Sequence, residues 1–460
     1  MDLRKRVEEL MPRVRGELAD LVAMRSVADP RQFPPEECHR AAVWVADAFA
    51  GTGFDTHLAD TPDGSQAVLG SRPCPREDAP TVLLYAHYDV QPPLADDEWR
   101  TPPFRLTEAD GRWYGRGAAD CKGNILMHLT ALRALGDDVP VHLKVVVEGS
   151  EEQGTGGLEA FVPAHAELLR ADAIVVADTG NAAVGYPAVT VSLRGLVNVV
   201  VQVDALPAEL HSGMFGGPAP DALAALVTVL GTLRDEAGDT TIHGVPGDGR
   251  WSGAPYPAAR FREDAGLSPG AVLLGSGDVA DTLWARPALT VLGIDCPPVV
   301  GSTAALAPRA RARLNLRVPP GIDPYQAAAA LSEHLMAAAP WGVDVSVEVE
   351  AIGEPFHAAT GGPAHQAMEE AMETAYGRPV SRLGQGGSIP LCTVLAETYP
   401  DAEILLVGVE EPQARIHAPN ESVAPQEIAR MALAEALFLR DYGARPGRSP
   451  VRAAPPPPCP

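Results

Sequence analysis

Apolar residues recur at spacings of three and four through positions 1–25, at Val7, Leu10, Met11, Val14, Leu18, Leu21 and Val22. That period predicts an amphipathic helix, which Ser26-Val27-Ala28-Asp29-Pro30 stops. A second helix is expected over 36–49, with Ala42, Val43, Val45 and Ala48 among its apolar positions. Short strands near Thr56-His57 and 67–69 precede a Pro-rich, charged turn at 71–80. The apolar run 81–85 then reads as a buried strand, 125–135 as a helix, 141–147 as a strand, 157–170 as a helix and 173–176 as another strand. Strands alternating with helices at this pitch predict a mostly parallel α/β domain.

The pattern changes at 188. Long β runs at 188–196, 197–203 and 310–318 enclose a helical stretch at 219–234, and a second helix follows at 325–338. Residues 343–350 alternate Val with polar or charged residues, the mark of a half-exposed strand. Two helices against an antiparallel sheet are expected there. From 355 the α/β style returns, with a helix at 362–376, the turn Gly384-Gln385-Gly386-Gly387-Ser388-Ile389-Pro390, a strand at 404–407 and a last helix at 425–439. Pro425 suits a first helical turn, where its missing N–H removes no intrahelical bond. The expected organisation is an α/β domain in two parts, 1–187 and 355–443, an α+β domain inserted at 188–354, and a Pro/Arg-rich tail at 444–460 that is expected to be disordered.

A chain of 460 residues suits two domains. Its 60 acidic and 36 basic side chains give a net charge of -24 and a pI near 4.8, which argues against a nucleic-acid or an anionic-membrane partner. Bound cations would offset part of that charge. The start of the chain has no apolar run of signal-peptide length and no later window approaches a membrane span, so a cytoplasmic protein is expected. Six cysteines, at 38, 74, 121, 296, 392 and 459, have no C-x-x-C spacing and read as free thiols of a reducing compartment.

Carboxylates stand just past several apolar runs, where ligands gather in α/β sheets. His87, Asp120, Glu152, Asp178 and His417 offer imidazole and carboxylate donors from five segments. Two borderline-soft divalent ions sharing one carboxylate, Asp120, require a mixed set of this kind. Glu151 and Glu152 point apart if extended, so Glu152 can ligate while Glu151 reaches the attacking water as general base. Asp89, two residues past His87, can hold the other imidazole nitrogen. Read singly, each has an ordinary role too: Asp120 and Asp178 can cap helices, and Ser150 can cap a helix that starts at the glutamates. Spacing alone names a candidate metal hydrolase.

The stretches His87-Tyr88-Asp89-Val90-Gln91-Pro92, 115–123, Glu148-Gly149-Ser150-Glu151-Glu152-Gln153-Gly154-Thr155, His211-Ser212-Gly213-Met214-Phe215-Gly216-Gly217, Gly386-Gly387-Ser388-Ile389-Pro390 and His417-Ala418-Pro419-Asn420-Glu421 resemble the M20 metallopeptidase family, in its carnosinase-like dipeptidase branch. They stand in family order. The resemblance implies a zinc-peptidase-like α/β/α catalytic domain with an inserted α+β lid and dimerisation domain. It implies two zinc ions per subunit, with manganese or cobalt as substitutes: one on His87, Asp120 and Asp178, the other on Asp120, Glu152 and His417. The implied reaction is hydrolysis of a dipeptide with a free C-terminal carboxylate, by a metal-bridging water that Glu151 deprotonates. Asp89 supports the site. His211 would act across a homodimer interface on the oxyanion, while Arg317, Gly387 and Ser388 would grip the substrate carboxylate. The sequence departs from the pattern at Ala305, where members often carry Asn or Thr, and at Gln385, where carnosinase-like members tend to carry Glu. The alternative reading is an N-acyl-amino-acid amidohydrolase, a deacylase or desuccinylase of the same fold.

Overall fold

The computed structural model describes residues 2–445. The expected tail from 446 onward, with Cys459, lies outside the described residues, whereas Ala444 still belongs to the last helix. The chain forms two compact units, the first from residues 2–189, 359–380 and 394–445, the second from Thr190–Ala358 with Ser381–Thr393. The sequence pattern had put that last segment in the returning α/β part.

In the first unit six strands, β1 (Asp55–Asp60), β2 (Gln66–Arg72), β3 (Thr81–His87), β4 (His142–Glu148), β5 (Ala173–Ala177) and β6 (Glu403–Val407), lie in the order β1-β2-β4-β3-β5-β6. β4, β3, β5 and β6 run parallel, and β1 and β2 add antiparallel strands at one side. β3 is flanked on both sides and buried from Val82 to His87, which explains its unbroken apolar run. Because these four strands are parallel neighbours, their carboxyl ends share one edge of the sheet. His87 ends β3 opposite Glu148 on β4, while Asp178 and the segment before Glu410 follow β5 and β6.

Helices α1 (Leu3–Ala23), α3 (Lys122–Leu135), α4 (Pro363–Tyr376) and α5 (Pro425–Ala444) pack on one another, and α2 (Glu36–Ala50) covers β1 and β2. α3 is buried around its whole circumference, with Ile125, Leu126, Met127 and Leu129 inaccessible to solvent. Each such side chain contributes about 1.5–3 kcal/mol relative to exposure. The helix expected over 157–170 breaks at His165 into Gly157–Ala164 and Ala166–Leu169. Among the described residues no helix is long and apolar enough to cross a membrane, and the cysteines at 38, 74, 121, 296 and 392 form no disulfide.

The second unit holds a four-stranded antiparallel sheet in the order Ala288–Asp295, Arg309–Val318, Gly195–Asp204, Asp344–Gly353. Val197, Val199, Val201 and Val203 alternate into a core shared with Leu226 and Val229 of helix Ala222–Gly231 and Leu331 and Leu335 of helix Pro324–Ala337. The β run at 188–196 divides at Arg194. Ala188–Leu193 pairs with Phe356–His357, and the chain joins the four-stranded sheet only from Gly195. Ala288–Asp295 was not foreseen. It is an edge strand with Val291, Leu292 and Ile294 exposed and a bulge between Val291 and Gly293, so its sequence shows no alternation.

Candidate metal centre

β3 delivers His87, fully buried, to the carboxyl edge of the sheet. Its Nδ1 lies 3.1 Å from the Asp89 carbonyl and 3.3 Å from Asp89 Oδ1, both acceptors, so Nδ1 carries a proton and Nε2 is the nitrogen left to ligate a cation. The Asp89 carboxylate also accepts the backbone N–H of Glu151 at 3.2 Å and of Glu152 at 3.0 Å. One buried acid therefore orients the imidazole and the turn that carries both glutamates.

Asp120 rides on a turn held from far along the chain. The buried Glu421 accepts N–H groups from Gly117 (3.0 Å), Ala119 (3.0 Å) and Asp120 (3.2 Å), and Arg116 Nη1 donates to it at 2.8 Å. Gly117 has φ +80°, and a Cβ there would meet Val90 Cγ1 at 2.5 Å, so the turn requires glycine. His417 sits in a loop where Arg415, His417 and Asn420 all have positive φ, 54°, 62° and 67°. Non-glycine residues pay strain for that conformation, and neighbouring hydrogen bonds hold it, with Asn420 bonded to Arg100 N and the Glu98 carbonyl.

These segments converge. His87 Nε2 is 3.0 Å from Asp120 Oδ1 and 3.1 Å from Asp178 Oδ1, while His417 Nε2 is 2.9 Å from Asp120 Oδ2 and 3.1 Å from Glu152 Oε2. Asp120 thus stands between the two imidazoles, one oxygen to each. Glu151 Oε2 reaches to 4.0 Å from His87 Nε2, and Gln91 Nε2 donates to Glu152 Oε2 at 2.8 Å.

The acids are crowded. Burial and then the Asp178 charge push the Glu151 carboxyl well above its usual range, and burial followed by Asp120 moves Glu152 to about 7. Burial opposes charging of both histidines. Cys121 and Asp178 nevertheless hold His87 well above its ordinary value, and hydrogen bonds to Asp120 and Glu152 raise His417 to about 11. Neutral rings would aim Nε2 lone pairs at carboxylate oxygens, so each gap between imidazole and acids calls for a cation. The donor set, two imidazoles with Asp120, Glu152 and Asp178, fits two divalent ions. Groups able to hold an ion, with ligand atoms within 4.8 Å of one another, include His87–Asp120–Glu152, His87–Cys121–Asp178 and Asp120–Asp178–Glu410.

The remaining expected residues lie in the second unit. His211 is exposed at the end of the two-residue strand Leu210–His211, directly opposite Ala305. Its Nδ1 accepts from Gly213 N at 3.1 Å, so in the neutral ring Nε2 carries the proton. Arg317 stands in strand Arg309–Val318 opposite Leu196 and is partly buried. Arg194, which sequence reasoning missed, is 7% exposed, and its buried Nε and Nη1 have no hydrogen-bond partner. Gln385 Oε1 and Ser388 Oγ are likewise buried and unpaired. A side chain at Gly386 would meet Arg194 Nη2 at 2.7 Å, so the glycine turn lies against that guanidinium. Burial and the neighbouring Arg317 charge lower Arg194 to about 10. Unpaired guanidinium N–H groups against a glycine turn make a site that an anion would complete.

Glu421 and Glu410 were also missed. Glu421 was visible only as the end of a motif with no assigned task. Glu410-Glu411 after β6 repeats the placement of Glu151-Glu152 after β4, and that repetition was the available signal.

The profile described as Peptidase family M20/M25/M40 matches residues 83–441. Over 439 residues the chain is 44% identical to a cysteinylglycine-S-conjugate dipeptidase of Corynebacterium striatum, covering 94% of this chain and 96% of that one. It is 28% identical over 434 residues to a beta-Ala-His dipeptidase of Rattus norvegicus, covering 90% and 85%. The structure of human carnosine dipeptidase 1 matches with a TM-score of 0.83 at 23% identity, covering 96% and 98% of the two chains, a likeness that speaks for the fold alone.

Proposed function

The chain belongs to peptidase family M20/M25/M40, in its carnosinase-like dipeptidase branch, and on that premise we propose that it hydrolyses dipeptides at a two-cation site. It is a metal-dependent dipeptidase. The observation that carries this reading is Asp120, whose two oxygens each face the Nε2 of a different histidine. His87, Asp120 and Asp178 would hold one cation, and Asp120, Glu152 and His417 the other. The nitrogen and oxygen donors suit zinc, with manganese or cobalt as substitutes.

When bound, the cations supply Lewis-acid polarisation of the peptide carbonyl and lower the pKa of the attacking water. Glu151 accepts that water's proton and returns it to the departing amine. Asp89 keeps His87 in the tautomer that offers Nε2 and fixes the backbone of both glutamates. Arg317, with Gly387 and Ser388, binds the substrate's C-terminal carboxylate, and Arg194 reinforces it; the unpaired polar atoms of Arg194 and Ser388 support this. The second unit serves as lid and dimerisation domain. His211 of one protomer donates Nε2–H to the oxyanion formed in its partner, a reading supported by its exposure and its Nδ1 bond. Cysteines outside any disulfide suit a cytoplasmic setting.

The test is release of amino acids from a dipeptide library by the zinc- or manganese-loaded protein, with N-acetyl amino acids and dipeptide amides in parallel. Cleavage of free dipeptides alone is the expected result. Turnover confined to N-acetyl amino acids would overturn it in favour of a deacylase.

A further inference from the structure

The acidic pair after β6 divides its labour. Glu411 receives Arg112 Nη2 at 2.5 Å and caps Gln413 N at 2.9 Å. Glu410 turns the other way. Its backbone is fixed beside the residues that follow Asp178, through a bridge to Gly180 and a 2.8 Å bond from Asn181 N to the Glu410 carbonyl. Only 5% of Glu410 is exposed, and Oε1 is buried with no hydrogen-bond partner. A carboxylate oxygen of Glu410 lies within 4.8 Å of oxygens of both Asp120 and Asp178. The charges that act on it are those of Asp120 and Asp178, and, in the opposite sense, His87 and His417. A buried carboxyl oxygen without a donor, set against two further acids, is satisfied by a proton or by a cation, and the ligand oxygens of Asp120 and Asp178 beside it supply the setting for a cation.

We propose that Glu410 is a ligand of the cation held by His87, Asp120 and Asp178. This rests on the two-cation reading above and adds to it an asymmetry. One half of the site then has one nitrogen and three carboxylate donors, and the other has one nitrogen and two. Oxygen-rich sets favour harder ions, so the Glu410 half prefers manganese relative to zinc more strongly than the His417 half does.

The test uses the full-length protein stripped with a chelator and retitrated with manganese chloride. Bound ions are counted by equilibrium dialysis with elemental analysis, and paired ions are identified by the exchange-coupled Mn(II) electron paramagnetic resonance signal. Wild type is expected to hold two ions. Glu410→Gln is expected to bind one of them at least about ten-fold more weakly and to show the spectrum of isolated Mn(II). Glu410→Asp, with the charge kept but the reach shortened, is expected to behave like Glu410→Gln. Two ions held by Glu410→Gln at wild-type affinity would overturn the proposal, as would wild-type binding by Glu410→Asp, which would make charge rather than ligation the cause. Glu410→Gln breaks no hydrogen bond of Oε1 and introduces no buried charge, so its metal-free form should melt no lower than wild type; a lower melting temperature would assign Glu410 to folding and overturn the proposal. Fewer than two ions in wild type would instead sink the two-cation reading itself.

Discussion

Asp89 gives its carboxylate to the backbone N–H groups of Glu151 and Glu152, with one oxygen 3.3 Å from His87 Nδ1, and an amide in its place sets an NH2 group against one of those donors. Asp89→Asn is therefore expected to weaken metal binding by about 10- to 100-fold, measured by chelator competition, with folding intact. Glu151 is not needed for the imidazole–acid contacts around Asp120. Glu151→Gln should lower kcat by about 100- to 10,000-fold while the metal content stays at the wild-type level. The two variants separate positioning from proton transfer. At this scale His87 was legible because it ends an apolar run, and Glu151 because it sits in a doubled acid after one. Arg194 and Glu410 were not, because their importance lies in atoms left without partners, and a sequence does not display the absence of a hydrogen bond.

Three core elements meet at a buried ion pair that the chemistry does not use. His128 on α3 is 2.8 Å through Nδ1 from Glu435 Oε2 on α5, and its Nε2 is 3.1 Å from the Tyr85 carbonyl on β3. Both ring nitrogens face acceptors, so the ring is held doubly protonated. Burial opposes this, but the Glu435 charge and hydrogen bond raise the His128 pKa above its ordinary value. Glu435 is the charged group facing the ring; Tyr85 contributes its carbonyl, and its hydroxyl donates to Glu148 instead. With the folded pKa above an unfolded value of about 6.5, the pair's stabilisation is complete below about pH 6.5 and is lost as pH rises through the folded pKa. His128→Leu strands a buried carboxylate and should cost about 3–5 kcal/mol near neutral pH, seen in thermal unfolding of the metal-free protein. His128→Leu/Glu435→Leu should recover much of that loss and flatten the alkaline fall in melting temperature. Helices α3 and α5 were foreseen from their apolar period. The ion pair between them was not, since periodicity marks a buried face without saying which polar residue on it finds a partner. Strand Ala288–Asp295 escaped for the opposite reason, its apolar residues being exposed at an edge.

For the molecule as a whole, the proposed crossing of His211 makes two inactive proteins complementary. Mixed and reassorted, His211→Ala and Glu151→Gln subunits should regain about a quarter of the wild-type rate, because half of the dimers are mixed and each has one intact site. No recovery after confirmed subunit exchange would mean that His211 serves its own subunit and does not cross to the partner. The succession of α/β, inserted α+β and α/β stretches was readable from the change of hydrophobic period, whereas the allegiance of Ser381–Thr393 to the second unit depends on packing that no local pattern encodes. The hydrogen bonds that the turn bearing Asp120 donates to Glu421 join residues more than 300 positions apart. A ribosome adds residues from the amino end, so a growing chain has made Asp120 long before Glu421 and His417 exist. The unfinished polypeptide therefore carries a loose acid where the finished one carries a shared ligand. A chain ending before His417 should bind manganese at no more than one weak site, whatever the condition of its sheet, so the capture of a second ion reports that translation of the domain is complete.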